Sequence, residues 1–483
     1  MSIKAISTNI GKALLINALF MLIAIIISII DGVDPAFTPL VISFLVTFIT
    51  GTFPFIFVKK NHPPTLQSGF MTIVLSWLLS FVFGMLPYIL WGGEFTIVNA
   101  WFESVSGYTT TGSTILTDIE ALPRSLLFWR SSTHFIGGLG VIIFLLMILP
   151  ESSGAKLKLT HLELSSLSKE GYRYKSSTIS RVMISVYIGL TVLEALLLWG
   201  AGMTPFDAIN HAFSTVSTGG FSTKNTSIMH FDSVAIDLIT TVFMALSAMN
   251  FGVMFAVIAK RSFKPLHHSV PRYYFGVIAA LSIIIALTLK TQGSYASWWR
   301  ALLDSTFQTV SFISTTGFGQ ADNALWPLLA NSLLLFAAFH CGCAGSTTGG
   351  IKADRILIAI KAVRGEFHKR LHPSSLVRTK IGNRILNDGT VSSVFLYIVL
   401  YILVLSASFT LIVMCGVDVS EAFSGTLASL GNVGPGTGSL GTMGNYSALP
   451  AAAKFIFTLD MFIGRLEIFP VLIVISMIFK RQK

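Results

Sequence analysis

Residues 99–114 read NAWFESVSGYTTTGST, and three later stretches repeat the plan: DAINHAFSTVSTGGFS at 207–222, DSTFQTVSFISTTGFG at 304–319 and EAFSGTLASLGNVGPG at 421–436. Each is 16 residues long and the four align without a gap. The first column holds Asn99, Asp207, Asp304 and Glu421, acceptors that suit a helix N-cap or first turn. The second is small (Ala100, Ala208, Ser305, Ala422), and so is the eighth (Ser106, Ser214, Ser311, Ala428). The fourteenth is glycine throughout: Gly112, Gly220, Gly317 and Gly434, separated by 108, 97 and 117 residues. Self-similarity at such spacings marks one supersecondary unit used repeatedly, here a helix, a returning segment and a second helix.

What flanks these stretches is apolar. The chain is 53% hydrophobic and 11% charged, against about 25% charged residues in a soluble domain. That excludes a soluble enzyme, a disordered chain and a coiled coil. A bilayer-spanning helix needs about 20 mostly apolar residues, and ten stretches qualify: 13–30, 37–58, 70–91, 125–149, 182–203, 234–259, 273–289, 325–349, 391–415 and 455–479. The first has no A-x-A-like site and runs straight into the second, so it reads as a span, not a cleavable leader. After the leading pair, the remaining spans pair up around the four repeated stretches. The expected fold is an all-α polytopic membrane protein with four pseudo-symmetric helix–pore-loop–helix repeats around one pore, preceded by an extra transmembrane helix pair. The units are 1–62 (leading pair), 63–160, 161–264, 265–372 and 373–483 (repeats one to four).

Lys and Arg set the orientation, since cytoplasmic loops carry their excess. With the N-terminus inside, the inside segments collect 25 of the 33 basic residues, and the short loop Asp31–Pro35 on the other face is acidic. Both termini are then cytoplasmic, and the net charge of +11 reflects topology, not nucleic-acid binding. Cys341, Cys343 and Cys415 lie in apolar stretches and read as small hydrophobic fillers.

Non-helical backbone at membrane depth is tolerated only when buried in protein or lining water. Each repeated stretch therefore reads as a short descending helix with an extended return. Four around one axis aim four sets of carbonyls at a common line, and the glycines allow the backbone to turn while leaving the axis open. Just before each glycine come Thr109-Thr110-Thr111, Ser217-Thr218-Gly219, Ser314-Thr315-Thr316 and Gly431-Asn432-Val433, with hydroxyls and neutral carbonyls but no carboxylate. A monovalent cation selected by replacing its hydration shell requires that chemistry. The alternative is a set of ordinary Gly/Ser/Thr loops at helix ends, which rarely repeat in gapless columns.

The segments TTTGST (109–114), TGGFS (218–222), TTGFG (315–319) and NVGPG (432–436) resemble the four filter segments of the Trk/Ktr/HKT potassium transporter superfamily. So do IGGLGV (136–141), CAGSTTGGIK (343–352) and GRLEIF (464–469), and the likeness runs from about residue 10 to the C-terminus. The leading helix pair makes the TrkH-type potassium uptake membrane subunits the most similar branch. The resemblance implies K⁺ as transported ion with no organic cofactor, a homodimer in the bacterial cytoplasmic (inner) membrane, and control by a cytoplasmic nucleotide-binding (RCK-type) ring subunit. It assigns the filter to Thr109, Thr110, Thr111, Gly112, Thr218, Gly219, Gly220, Thr315, Thr316, Gly317, Asn432, Val433 and Gly434. Glycine at position 112, where many sodium-permeable plant relatives have serine, favours potassium. The family commonly has Ile-Gly where this chain has His340-Cys341.

The eighth span is interrupted: residues 342–350 contain four glycines, where a continuous helix would lose about 1 kcal/mol per Gly relative to Ala. By resemblance this is an intramembrane gate loop, comprising Gly342, Ala344, Gly345, Ser346, Thr347, Thr348, Gly349 and Gly350; a kinked helix is the alternative. Arg465 lies within the last span, where an isolated charge faces a bundle interior and finds partners. The loop carbonyls suit it, which would make Arg465 a latch and an electrostatic barrier; the rival is a structural pair with Asp460 or Glu467. Glu194 and Asp237 suit bonds to neighbouring helices, and His134 suits packing. His267-His268, without carboxylates nearby, is not a metal site. The basic stretch Lys361–Arg384 suits anionic lipid, an acidic face of the ring subunit, or plain solvation.

No Walker A sequence, no H-E-x-x-H and no nucleophilic triad is visible, so the chain reads as no enzyme. The leading function is gated, channel-like potassium uptake. An ion-coupled secondary transporter with H⁺ or Na⁺, working by alternating access around broken helices, and a non-transporting scaffold are the alternatives.

Overall fold

The computed structural model describes residues 3–58, 66–147, 176–375, 378–382 and 384–480. Lys59, Lys60, residues 150–175 of the basic third loop, Arg481–Lys483 and the unit boundaries at 62 and 160 lie outside them. Apart from a hairpin of two-residue strands, Lys380–Ile381 with Arg384–Ile385, the regular elements described are helices.

A leading pair, Ile3–Ile30 and Phe37–Phe57, precedes an order that recurs. The long helices Leu66–Gly84, Ser176–Gly200, Ser269–Thr291 and Asp388–Met414 come first; Leu66–Gly84 is continued by Leu86–Trp91. The repeated stretches then form the short helices Ile97–Tyr108, Pro205–Val216, Trp298–Ile313 and Val419–Leu430. Helices Arg124–Met147, Val234–Ser247, Leu328–His340 and Ala451–Leu466 follow them. The cap lies three residues before the first column, not on it: Thr96 Oγ1 accepts from Asn99 N, Thr204 Oγ1 from Asp207 N, and Asp418 from Ser420 N. Asn99, Asp207 and Glu421 thus sit in the first turn. Asp304 does not, because its helix begins at Trp298; it pairs instead with Arg300 at 3.0 Å.

Among the described residues, six helices are long and apolar enough to cross a membrane: Ile6–Ile30, Phe37–Phe57, Gln67–Trp91, Arg181–Gly200, Ser269–Thr291 and Asp388–Met414. Their exposed Leu19, Ile26, Leu196, Ile283 and Leu403 present the apolar exterior that lipid requires. The chain is an integral membrane protein. The remaining expected spans look different. Residues 125–149 fall on Arg124–Met147 and, for 148–149, outside the described residues. Residues 234–259 split into Val234–Ser247 and Phe251–Lys260, bent by 103°. The eighth stops at His340, and the tenth breaks at Glu467 before Ile468–Lys480. Where one interrupted span is expected, three are found among the described residues. The bend at 248–250 arises because Asn250 caps a new helix (Oδ1 accepts from Val253 N, 3.2 Å) while the Ala248 carbonyl accepts from Cys343 N (2.8 Å). The break at Glu467 has φ +60, and its carboxylate is held by Lys352 and Arg355.

Candidate functional site

The four short helices end alike. In each, the thirteenth-column N–H donates to the eighth-column carbonyl: Thr111 to Ser106 (2.9 Å), Gly219 to Ser214 (2.7 Å), Thr316 to Ser311 (3.0 Å) and Val433 to Ala428 (2.8 Å). The twelfth-column N–H donates to the ninth-column carbonyl in all four. This is a Schellman termination, which demands a left-handed residue normally supplied by glycine. Here it falls on Thr110, Thr218, Thr315 and Asn432, with φ of 52, 57, 57 and 54°. A β-branched residue in that region is an outlier, costing about 1–3 kcal/mol and held only where the surroundings enforce it. Its recurrence at one column in three segments marks a site whose backbone shape is imposed.

Two residues on, the glycines carry positive φ again, and here substitution is blocked by neighbours. A Cβ on Gly112 would run into the carbonyl oxygen of Gly219; on Gly220, into that of Thr316; on Gly317, into that of Val433; on Gly434, into that of Thr111. Each contact leads to the next segment and the last returns to the first, so the four segments close a ring of thirteenth-column carbonyls against fourteenth-column glycines. All four glycines also line one partly open cavity, with Lys224, Asn225, Pro435 and Thr442 on its wall.

The ring is braced from outside. Glu103 and Arg130 are buried and paired at 2.6 Å. Glu103 also accepts from Thr114 Oγ1 and Ile115 N in the first returning limb, while Arg130 donates to Ser222 O in the second and lies 3.6 Å over the Phe221 ring. Neither residue was singled out from the sequence. The signal was present, since a carboxylate and a guanidinium in neighbouring apolar segments imply a partnership. His134 packs against Gly219, stacks on Phe221 at 4.0 Å and places Nδ1 3.1 Å from Ser214 Oγ. Asp237 accepts from Gln320 Nε2 (2.9 Å), linking the helix Val234–Ser247 to the third returning limb. Glu194 is buried beside Thr215 of the second short helix.

Residues 341–351 form a non-helical loop against the short-helix ends. Thr347 Oγ1 donates to Val216 O (3.1 Å) and Ser247 O (3.3 Å); a Cβ on Gly349 would meet Gly431 O at 2.7 Å. Asn250 Nδ2 donates to Ala344 O (2.7 Å), Ser346 Oγ to Cys343 O (2.7 Å), and Tyr397 OH to Gly350 O (3.3 Å). Asp354 accepts from Ala344 N at 2.6 Å. Burial pushes its carboxyl above the ordinary carboxylate range, opposed by that amide and by Lys352. Cys341, where the family commonly has glycine, takes φ +56° and ψ −176°, a conformation few side chains adopt.

Arg465 is brought to this loop. Its Nη1 donates to Thr347 O and its Nη2 to Gly137 O (3.3 Å). Neither suggested carboxylate pairs with it: Glu467 is taken by Lys352 (2.7 Å) and Arg355 (2.6 Å), and Asp460 accepts from Ser408 Oγ. The basic stretch is divided. Lys361, Arg364, Lys369 and Arg370 lie on the helix Ala353–Leu371, where Lys361 Nζ donates to Lys380 O at 3.0 Å. Among the described residues, no cluster of three or more His, Cys, Asp or Glu could hold a metal ion.

These features define a helical membrane protein in which four repeated segments of one chain meet in a ring. The cation transport protein family TrkH matches residues 38–483, and the chain belongs to it. It is 38% identical to the Trk system potassium uptake protein TrkH of Salmonella typhimurium over 389 residues, 80% of each chain. It is 34% identical to the TrkH of Vibrio parahaemolyticus over the full length of both. The crystal structure of the potassium transporter TrkH from Vibrio parahaemolyticus superposes with a TM-score of 0.88, at 33% identity and 98% coverage of each chain.

Proposed function

We propose that this chain carries potassium into the cell through the ring, as a gated, channel-like uptake subunit of the cytoplasmic (inner) membrane. The single observation that carries the reading is the closed sequence of contacts in which each fourteenth-column glycine abuts the next segment's carbonyl. Carbonyls so fixed can replace a hydration shell. The four short helices also end at the ring, each presenting a C-terminal dipole of about −0.5 charge, which favours a cation without a carboxylate. The relatives' names supply the ion.

In this reading the chain has ten spans with both termini cytoplasmic, a leading pair at 1–62, and four units at 63–160, 161–264, 265–372 and 373–483. Residues 342–350 form the gate and Arg465 its latch. A homodimer controlled by a cytoplasmic nucleotide-binding ring subunit fits relatives named as parts of a Trk system. One charge crossing 100 mV is worth about 2.3 kcal/mol, so an inside-negative membrane drives uptake without a coupled ion. Alternating access with H⁺ or Na⁺ gains something from the three helix breaks, but a transporter of that kind has no need of a ring closed by four glycines. Rubidium flux into proteoliposomes decides: a saturable, sodium-excluding flux down an imposed potential supports the pore, and flux that requires a proton or sodium gradient overturns it.

A further inference from the structure

A second, partly open cavity lies between the leading helix Ile3–Ile30 and the helices Leu66–Gly84 and Arg124–Met147. From the leading helix it is lined by Asn9, Lys12, Ala13, Ile16 and Asn17. These follow the i, i+3, i+4, i+7, i+8 pattern of one face, about 12 Å long at 1.5 Å per residue. Lys12, one turn in from Asn9, is exposed, and Asn17 at the far end is fully buried. Between them the walls are apolar, with Ile136, Leu139 and Trp77. Asn17 donates through Nδ2 to Ser80 Oγ (3.1 Å), yet its Oδ1 has no hydrogen-bond partner among the described residues, nor has Trp77 Nε1. Both residues line the cavity and are at least nine-tenths buried. Buried polar atoms are normally satisfied, and an apolar recess with a few unsatisfied polar groups is the usual form of a ligand site.

The order of groups restricts the ligand. A bare acyl chain leaves Asn17 and Trp77 unpaired, and a wholly polar solute has no use for the aliphatic wall. An amphiphile with a negative group at Lys12, hydrogen-bonding groups a few ångströms deeper and an apolar remainder meets all three requirements. We propose that the cavity binds an anionic phospholipid of the cytoplasmic leaflet, its phosphate toward Lys12 and its ester region against Trp77 and Asn17. The leaflet rests on the N-terminus-inside orientation proposed above. Tyr108, the last residue of the first short helix, and Gly137, whose carbonyl accepts from Arg465, line the same cavity, so the occupant touches both the ring's support and the loop's latch.

The test uses the full chain in vesicles containing phosphatidylglycerol or phosphatidylcholine brominated on an acyl chain, read by tryptophan quenching. The difference between wild type and Trp77→Phe isolates Trp77 from the remainder of the eight tryptophans. Brominated phosphatidylglycerol is expected to quench Trp77 with about five-fold preference over phosphatidylcholine, the worth of one lysine at an anionic surface. Lys12→Gln removes the preference, and Ala13→Phe, which fills the slot, removes quenching by either lipid. Equal quenching by the two lipids, a preference untouched by Lys12→Gln, or displacement by excess inorganic phosphate overturns the proposal. Native mass spectrometry gives an independent reading, with phosphatidylglycerol retained by wild type and lost from Lys12→Gln; equal retention overturns it. Rubidium flux in the same vesicles separates the two readings: quenching as expected without flux removes the pore and leaves the lipid site, and the reverse removes the lipid site alone.

Discussion

Gly112 and Gly92 have nearly the same positive φ, +83° and +82°, in different surroundings. A Cβ on Gly112 meets the Gly219 carbonyl of the next segment; on Gly92 it meets nothing within 4 Å. Serine at each position therefore separates the cost of a positive φ in an L-residue, about 1–3 kcal/mol, from the effect on the ring. Only Gly112→Ser must also move a ring carbonyl, by roughly 1 Å to restore ordinary contact. A shift of that size exceeds the difference between the radii of sodium and potassium. Gly112→Ser should lose at least about ten-fold in rubidium-over-sodium preference, equivalent to about 1.4 kcal/mol, while Gly92→Ser unfolds at lower temperature with preference unchanged. The assay is rubidium uptake into proteoliposomes against rising sodium, with thermal unfolding of the same preparations. A folded Gly112→Ser that still excludes sodium, or a Gly92→Ser that admits it equally, would refute the reasoning.

Arg465→Ala removes two hydrogen bonds from a charged donor, each worth about 1.5–3 kcal/mol before the relieved desolvation is counted; basal rubidium flux should rise at least about ten-fold, and unchanged flux would argue against a latch. Arg130→Met leaves Glu103 buried without its cation and should cost about 3–5 kcal/mol of stability, with Arg130→Met/Glu103→Gln recovering part of it in thermal unfolding. Glu467→Gln strands Lys352 and loosens Arg355, so destabilisation of similar sign is expected, with limited proteolysis near residues 352–371 as the local readout.

The ring column is legible in the sequence because one residue type recurs at one offset, and a carbonyl packed against a Cα tolerates only glycine. The left-handed turn two residues earlier is not legible. Threonine rarely signals positive φ, so Thr110, Thr218 and Thr315 read as hydroxyl donors when their backbone is the more informative part. Helix breaks divide in the same way. The glycine-rich stretch 342–350 announces itself by composition. The bend at 248–250 and the break at Glu467 depend on partners far along the chain, Cys343 for one and Lys352 with Arg355 for the other. Arg465 could be assigned to the loop because a buried cation requires acceptors and the flexible stretch offered them. That Glu467 was already committed elsewhere follows only from the fold.

The four segments are not braced equally. Thr109 and Thr111 tie their hydroxyls together at 2.8 Å in the first, and Ser314 and Thr316 do so at 2.8 Å in the third. Gly219 in the second and Gly431 and Val433 in the fourth have no hydroxyl with which to make that tie. The loop reaches both of those segments, Thr347 at Val216 and Gly349 at Gly431 and Asn432. A loop that supports the segments lacking an internal tie is mechanically part of the ring, because withdrawing it removes support from alternate carbonyls, while the other two keep their own ties. Arg465 holds the loop at Thr347, so in the proposed pore the side chain that latches the loop also steadies half of the ring. The pseudo-fourfold sequence repeat thereby becomes a twofold arrangement of support, set by which segments have a hydroxyl on both sides of the left-handed residue.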